Sequence, residues 1–241
     1  MAKTGLNITV IIIAVLILAA IAGFFIYDAV RGKATVAAIG NYETKVQPDE
    51  AVVYLQVQTK SSSAEQAKDD NAKIVDNVMT ALIKVGLERS DIETENFNIN
   101  PDYNWTSGRN EIIGYTASHN IKITTKDFAN VGKIIDAAVD NGALVSYINF
   151  ELSNAKSNEY KAQALASASQ DARTKASSIA SGLGKTLGQI VSITTSDYNY
   201  YPYPLYRAEA SGGADVKSVA TNIQPKSLDI TATVTVTFEI V

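Results

Sequence analysis

Residues 51–86 read AVVYLQVQTKSSSAEQAKDDNAKIVDNVMTALIKVG, and their apolar period changes midway. From Ala51 to Thr59 apolar residues alternate with polar ones, the pattern of a strand with one covered face. From Ser63 to Val85 the apolar residues Ala64, Ala67, Ile74, Val75, Val78, Leu82 and Val85 recur at helical spacing and share one face. Ser63 with Gln66 has the spacing of a capping box, and Gly86 supplies the stop. A strand followed by an amphipathic helix needs a common core, which points to an α/β (α+β) domain.

The same grammar extends in both directions. Upstream, Thr35–Gly40 is a short apolar strand, and Pro48-Asp49 punctuates the turn before Ala51. Downstream, Thr94–Asn100 and Ile112–Thr125 read as a hairpin joined by turn formers from Pro101 to Gly108. A second helix from about Asp127 to Asp140 carries Phe128, Val131, Ile134, Ile135, Ala138 and Val139 on one side, and Leu144–Leu152 is the next strand. Asn158–Leu183 is a long helix with Ala164, Ala168, Ala172, Ala176 and Ala180 at four-residue spacing, a stripe that lets a helix approach its neighbour closely. Ile190–Thr195 and the strongly alternating Leu228–Ile240 (LDITATVTVTFEI) close the chain as strands. Strand-to-strand returns without a helix predict a mixed or antiparallel sheet of about seven strands with three helices.

The 241 residues carry a formal net charge of −4. A mean hydropathy of +0.01 is high for such a chain, and the excess comes from Leu6–Tyr27, LNITVIIIAVLILAAIAGFFIY, an uncharged apolar run. At about 1.5 Å rise per residue this run is long enough for a bilayer core of about 30 Å, so an N-terminal transmembrane helix is expected within residues 1–33, ahead of a domain spanning 34–241. Ala20-Ile21-Ala22 has the form of a signal cleavage site, but the apolar stretch continues past it, which favours an uncleaved anchor. Lys3 on one side and Arg31 and Lys33 on the other leave the orientation undecided by charge.

Because three basic residues and one acid precede Ala34, the remaining domain is more acidic than the whole, which argues against nucleic acid and against anionic lipid. There are no cysteines, so disulfides, thiol nucleophiles and zinc–cysteine sites are excluded.

Catalytic patterns are fragmentary. Gly184-Lys185-Thr186 resembles the end of a phosphate-binding loop but lacks the upstream glycine, where Ile179 stands, and the preceding strand. Ser153 and Lys156 have S-x-x-K spacing without the companion motifs. His119, the only histidine, follows Ser118 on a strand, where successive side chains point to opposite faces. Asp91, Glu93 and Glu95 alternate and could line one strand face, as cation ligands or as a charged edge that discourages aggregation. The expectation is therefore a protein that is not an enzyme, with no catalytic, cofactor-binding or metal-binding residues.

Surfaces suited to contact are better represented. Trp105 with Tyr103, and Tyr198, Tyr200, Tyr201, Tyr203 and Tyr206 in the long loop before Ser211-Gly212-Gly213, are large side chains with a polar handle, suited to a subunit interface or a glycan. The stripe at Ala168, Ala172 and Ala176 is a further candidate interface, and Asn104-Trp105-Thr106 is an N-glycosylation sequon.

The order and spacing of Gly40, Pro48-Asp49-x-Ala51, Leu82–Gly86, Asp91-Ile92-x-Thr94, Pro101-x-Tyr103, Gly114-Tyr115-x-Ala117, Phe150-x-Leu152, Ala168–Ala180, Leu183-Gly184 and Leu187-Gly188 resemble the SIMPL-domain family over about Val36–Val241. The resemblance implies an envelope protein whose domain lies outside the cytoplasmic membrane, periplasmic or extracellular. It also implies ring-like or channel-like homo-oligomers in some members, and it transfers no catalytic residues. The combined expectation is a membrane-tethered, externally facing protein that binds the bilayer through residues 6–27 and assembles with itself in a structural or scaffold role. A glycan-binding module using the aromatic loops, or a subunit of an extracellular filament, are the alternatives.

Overall fold

A computed structural model of the chain describes residues 12–23, 33–104, 111–195, 199–200, 204–207 and 225–241. Its elements in chain order are β1 (Thr35–Val46), β2 (Glu50–Ser61), α1 (Ala64–Lys84), β3 (Ile92–Asn104), β4 (Glu111–Thr125), α2 (Val131–Asp140), β5 (Leu144–Glu151), α3 (Asn154–Gly182), β6 (Leu187–Thr195), β7 (Asn199–Tyr200), β8 (Pro204–Arg207) and β9 (Leu228–Ile240). Short 3-10 turns at Arg89–Asp91 and Phe128–Asn130 precede β3 and α2. The class is α+β, as expected. The single sheet is corrected to two, ordered β3-β4-β2-β5-β8 and β1-β9-β6, with β7 also on β9. The strand pairs with a defined register are antiparallel. β7 and β8 fall in the tyrosine- and proline-rich stretch that lacks strand alternation, which is why the sequence reads there as loop.

Of the run Leu6–Tyr27, residues 12–23 are helical with their side chains exposed, and the rest lies outside the described residues. Among the described residues no helix is long and apolar enough to cross a membrane.

The chain divides into two compact units: residues 1–41, 167–196 and 233–241 form the smaller, and residues 42–166 and 197–232 the larger. In the larger unit one apolar core gathers Val53, Leu55 and Val57 of β2, Ile121 and Ile123 of β4, and Ile148 and Phe150 of β5. It also takes in Val78 and Leu82 of α1 and Ile134 and Ile135 of α2. The alternating register β2–β4–β3 sets which residues face it. Ser63 caps α1 by accepting from Gln66 N–H at 3.2 Å, but only half of the expected box forms, because the Gln66 amide donates to Asp70 instead. Asn130 at the start of α2 donates to the Val85 carbonyl at 2.9 Å and so ties the two helices end to end. Before α3, Ser153 donates from its backbone N–H and from its hydroxyl to the Asp49 carboxylate, both at 2.7 Å. The turn at Pro48-Asp49 is thereby fastened to the helix start.

The smaller unit is organised by α3 from Ser167 onward. Val36, Ala38 and Gly40 of β1 and Val234, Val236 and Phe238 of β9 turn one face inward, as the period of two requires, and Ala168, Ala172, Ala176 and Ala180 of α3 are fully buried. At Gly40 nothing separates strand from helix: a Cβ there would overlap the Ala168 carbonyl oxygen and stand 2.5 Å from the Ala172 nitrogen. The helix also grips the strand's backbone. Asp171 accepts from Asn41 N–H at 2.9 Å, Lys175 donates to the Ile39 carbonyl at 3.1 Å, and the two side chains pair at 2.6 Å. Lys175 first, then the Asn41 amide, hold the Asp171 carboxyl below its ordinary pKa.

Two stability predictions follow from these contacts. Gly40→Ala forces backbone against backbone, with no rotamer to relieve it, and is expected to lower unfolding free energy by about 3 kcal/mol, read from denaturant midpoints. Asp49→Ala leaves the Ser153 donors without their acceptor and is expected to cost about 2 kcal/mol, whereas Asp49→Asn, which keeps one acceptor, is expected to lose less.

Candidate functional site

Two features of the surface combine chemistry with access. The first is β6. It carries no charged residue, and none occurs from Thr186 to Ser196. Its apolar side chains Ile190, Val191 and Ile193 are 52%, 54% and 58% exposed, so both faces of the strand are greasy and open. β6 pairs with β9, and among the described residues its other edge has no strand partner. The opposite edge of this sheet is treated differently. Ala34 accepts from Ile240, which sets the parity of β1 toward β9. Asn41 N–H and the Ile39 carbonyl therefore point away from β9, and these are the groups held by Asp171 and Lys175. An edge blunted by charged side chains stands opposite one that is not.

The second feature is a groove of about 360 Å³ in the larger unit, lined by Lys68, Asn71, Ala72, Val75 and Asp76 of α1, Phe97 of β3 and His119 of β4. The cross-strand row Val57–His119–Phe97 leads from the core to the sheet edge. Val57 is buried, while Phe97 on edge strand β3 is 43% exposed. Asn71 occupies the buried stripe of α1 with Ala67, Val78 and Leu82. Its Nδ2 donates to the carbonyls of Val57 at 3.0 Å and Ala117 at 3.3 Å, which fixes the amide's orientation. Its Oδ1 is buried without a hydrogen-bond partner. His119 Nε2 meets Thr94 Oγ1 at 2.9 Å, and its ring lies tilted on Phe97 at 5.5 Å. Burial holds this imidazole below its ordinary pKa.

The fragments of catalytic pattern serve the backbone. The Ser153 hydroxyl is committed to Asp49, and Lys156 Nζ pairs with Glu159 at 2.9 Å rather than with Ser153. Gly184 has φ +67° and, with Lys185 N–H donating to the Ala180 carbonyl at 2.9 Å, ends α3. Asp91, Glu93 and Glu95 do not line one strand face. Asp91 sits in the 3-10 turn, where it accepts from Glu88 N–H at 2.9 Å, and Glu95 falls at a bulge between Thr94 and Asn96. Among the described residues no group of three or more histidines and acids could hold a metal ion.

The expected interface residues divide. Ala168, Ala172 and Ala176 are withdrawn as a contact surface between copies: each is fully buried, and the close approach that their size permits is filled by β1 at Gly40 of the same chain. Trp105, Tyr198, Tyr201 and Tyr203 lie outside the described residues. Tyr200 pairs with Ile230 and Tyr206 with Ile148 in their sheets. Tyr103, 42% exposed, faces Ile112 near the end of the β3–β4 hairpin, and Asn104 of the sequon pairs with Glu111.

Sequence reasoning missed the groove, although one signal was present: Asn71 is a polar residue on the apolar stripe of α1, where a partner must be found for it. It also missed the stacked pair Tyr54–Tyr147, whose rings are 4.0 Å apart on neighbouring strands. Burial, followed by the proximity of Tyr147, pushes the Tyr54 hydroxyl well above its ordinary pKa.

Residues 36–238 match the profile of SIMPL, described as a protein of unknown function (DUF541). The chain is 30% identical over 185 residues to the 26 kDa periplasmic immunogenic protein of Brucella melitensis, covering 73% of this chain and 72% of the relative. It is 25% identical over 182 residues to the uncharacterized protein YggE of Escherichia coli, covering 76% and 74%. It is 26% identical over 207 residues to YggE of Edwardsiella ictaluri, covering 85% and 86%. With the profile matched from the second residue of β1 to near the end of β9, the chain belongs to the SIMPL family.

Proposed function

We propose that this chain is an envelope protein, tethered to the membrane through Leu6–Tyr27 with its domain outside, that assembles with copies of itself in a structural or scaffold role rather than as an enzyme. The observation that carries the reading is the edge of β6 that has no strand partner among the described residues, apolar on both faces and uncharged. An edge of this kind is a template for another strand, and natural proteins otherwise guard it with charge, proline or a cover. The partner is a second copy, because a strand without charge meets its own image without like-charge repulsion. Tethering supports this, since confinement to a membrane raises local concentration and lets weak contacts suffice. The uncharged run of 6–27 supports the tether, and the word periplasmic in the name of the Brucella relative supports a location beyond the cytoplasmic membrane. Occupation of Ser153 and Gly184 in caps, and of the Lys156 ammonium in an ion pair with Glu159, supports the non-enzymatic reading.

Light scattering of the detergent-solubilised full-length protein is expected to give a mass above the monomer that rises with concentration. Ile193→Lys, which places a charge on the exposed edge, is expected to shift the equilibrium at least tenfold toward monomer without altering the circular dichroism spectrum. A monomer at every concentration would overturn self-assembly. Protease accessibility on sealed cells tests the orientation separately: protection of the carboxyl-terminal half would overturn the outward-facing placement.

A further inference from the structure

We infer that the cleft between the start of β2, the end of β4 and the 3-10 turn before β3 is a binding site for a small zwitterion, an ammonium and a carboxylate on one polar body, of which an α-amino acid is the simplest form. The cleft has a volume of about 490 Å³, within the span of about 300 to 1,000 Å³ usual for ligand sites. Strand register brings its walls together. Lys122 of β4 stands between Tyr54 of β2 and Glu93 of β3, so Glu50, Thr124, Lys122 and Glu93 share one sheet face. Lys126 follows Thr125, the partner of Ala51, and so emerges beside Glu50. Asp91, from the 3-10 turn, lines the same cleft. All of these residues belong to the larger unit, and the site does not rest on self-assembly.

The charges of the cleft specify the ligand. Three carboxylates and two ammoniums line it, and three of the five are committed. Lys122 pairs with Glu93 at 3.8 Å, and Asp91 accepts from the Glu88 N–H at 2.9 Å. Glu50 and Lys126 remain, one charge of each sign, and among the described residues neither side chain has a hydrogen bond or an ion pair. The carboxylates that flank Glu50 are already served: Asp49 holds both Ser153 donors, and Glu151 accepts from Asn149 at 3.0 Å. Burial first, then Asp49 and Glu151, raise the half-buried Glu50 carboxyl above its ordinary pKa, while Lys126 and Lys122 act in the opposite sense. A partly desolvated carboxylate without a donor is costly, and an ammonium brought to it makes a charge-assisted hydrogen bond. A lone cation would leave Lys126 unmatched, and a lone anion would leave Glu50 unmatched. A molecule with both charges meets both demands, and the hydroxyls of Ser90 and Thr124 in the same lining suit a polar body.

The test uses L-serine, N-acetyl-L-serine, which lacks the ammonium, and L-serinamide, which lacks the carboxylate, in amide-resolved NMR titrations of the detergent-solubilised full-length protein. L-Serine is expected to produce saturable shifts at the amides of Glu50, Asp91, Thr124 and Lys126, and each derivative is expected to bind at least tenfold more weakly for want of one charge-assisted bond. Glu50→Gln is expected to weaken L-serine at least tenfold without weakening N-acetyl-L-serine, which brings no ammonium for the carboxylate to hold. Lys126→Gln is expected to weaken L-serine by as much without weakening L-serinamide. Loss of the fold does not mimic this crossed pattern, because it would weaken every ligand alike. The inference is overturned if L-serine at millimolar concentration leaves these amides unmoved, if either derivative binds as L-serine does, or if either variant binds L-serine as the parent does.

Discussion

The close approach of α3 to β1 is the constraint on which the smaller unit rests. A glycine on the strand and alanines on the helix leave no side chain between two backbones, so the interface tolerates no added carbon at Gly40. The shortness of the approach then allows Asp171 and Lys175, one helical turn apart, to reach the strand's own N–H and C=O groups. The same packing that builds the core therefore also closes the outer edge of β1. β6, at the opposite edge of the sheet order, receives no such cover among the described residues, and its isoleucines and valine remain half exposed. The contrast between the two edges is in this sense a consequence of where the helix lies.

Much of this was legible in the sequence because periodicity reports a covered face. The stretch Ala51–Thr59, the apolar stripe of α1 and the alternation in Leu228–Ile240 each gave the correct element. Periodicity does not name the neighbour that does the covering. For that reason two antiparallel sheets could not be distinguished from one, and the alanine stripe could be read as an approach between copies when the approach is to β1. The extended ends of β1 and α3 escaped for a related reason: Tyr42–Val46 and Asn154–Ser157 are held by cross-strand partners and by the Asp49–Ser153 cap, whereas their composition is polar and undistinguished. Tertiary context decided them.

The residues on which the family resemblance rests have structural work. Gly40 admits the helix, Asp49 caps it, Gly184 ends it, and Gly114 lies where a Cβ would stand 3.0 Å from the Ser61 carbonyl. Such positions fix a fold and are silent about chemistry. Binding therefore has to be sought among residues free of these duties. Phe97 and His119 meet that description, and neither belongs to the motifs that identify the family, whereas Asn71 ties α1 to the carbonyls of Val57 and Ala117. The groove was hidden from sequence because its parts are 48 residues apart along the chain, from Asn71 to His119, and are brought together only by the strand register.

Edge chemistry also constrains the geometry of the proposed assembly. Pairing of β6 with β1 of another copy would be heterologous and would propagate into a ring or fibre. It would meet Asp171 and Lys175 already seated on the Ile39 carbonyl and the Asn41 N–H, and would have to displace a pair held by its own helix. Pairing of β6 with β6 about a twofold axis meets no such obstacle and buries Ile190, Val191 and Ile193 from both copies. A twofold contact closes after two copies, so any larger assembly needs a second surface. The exposed Tyr103, Ile112 and Ile113 toward the end of the β3–β4 hairpin provide apolar area for one, and they are set on a hairpin whose register is fixed by β2. An acidic domain disfavours close packing of many copies through its net charge. Apolar contacts of limited area, reinforced by the proposed tether, are the kind of interaction that can offset this repulsion.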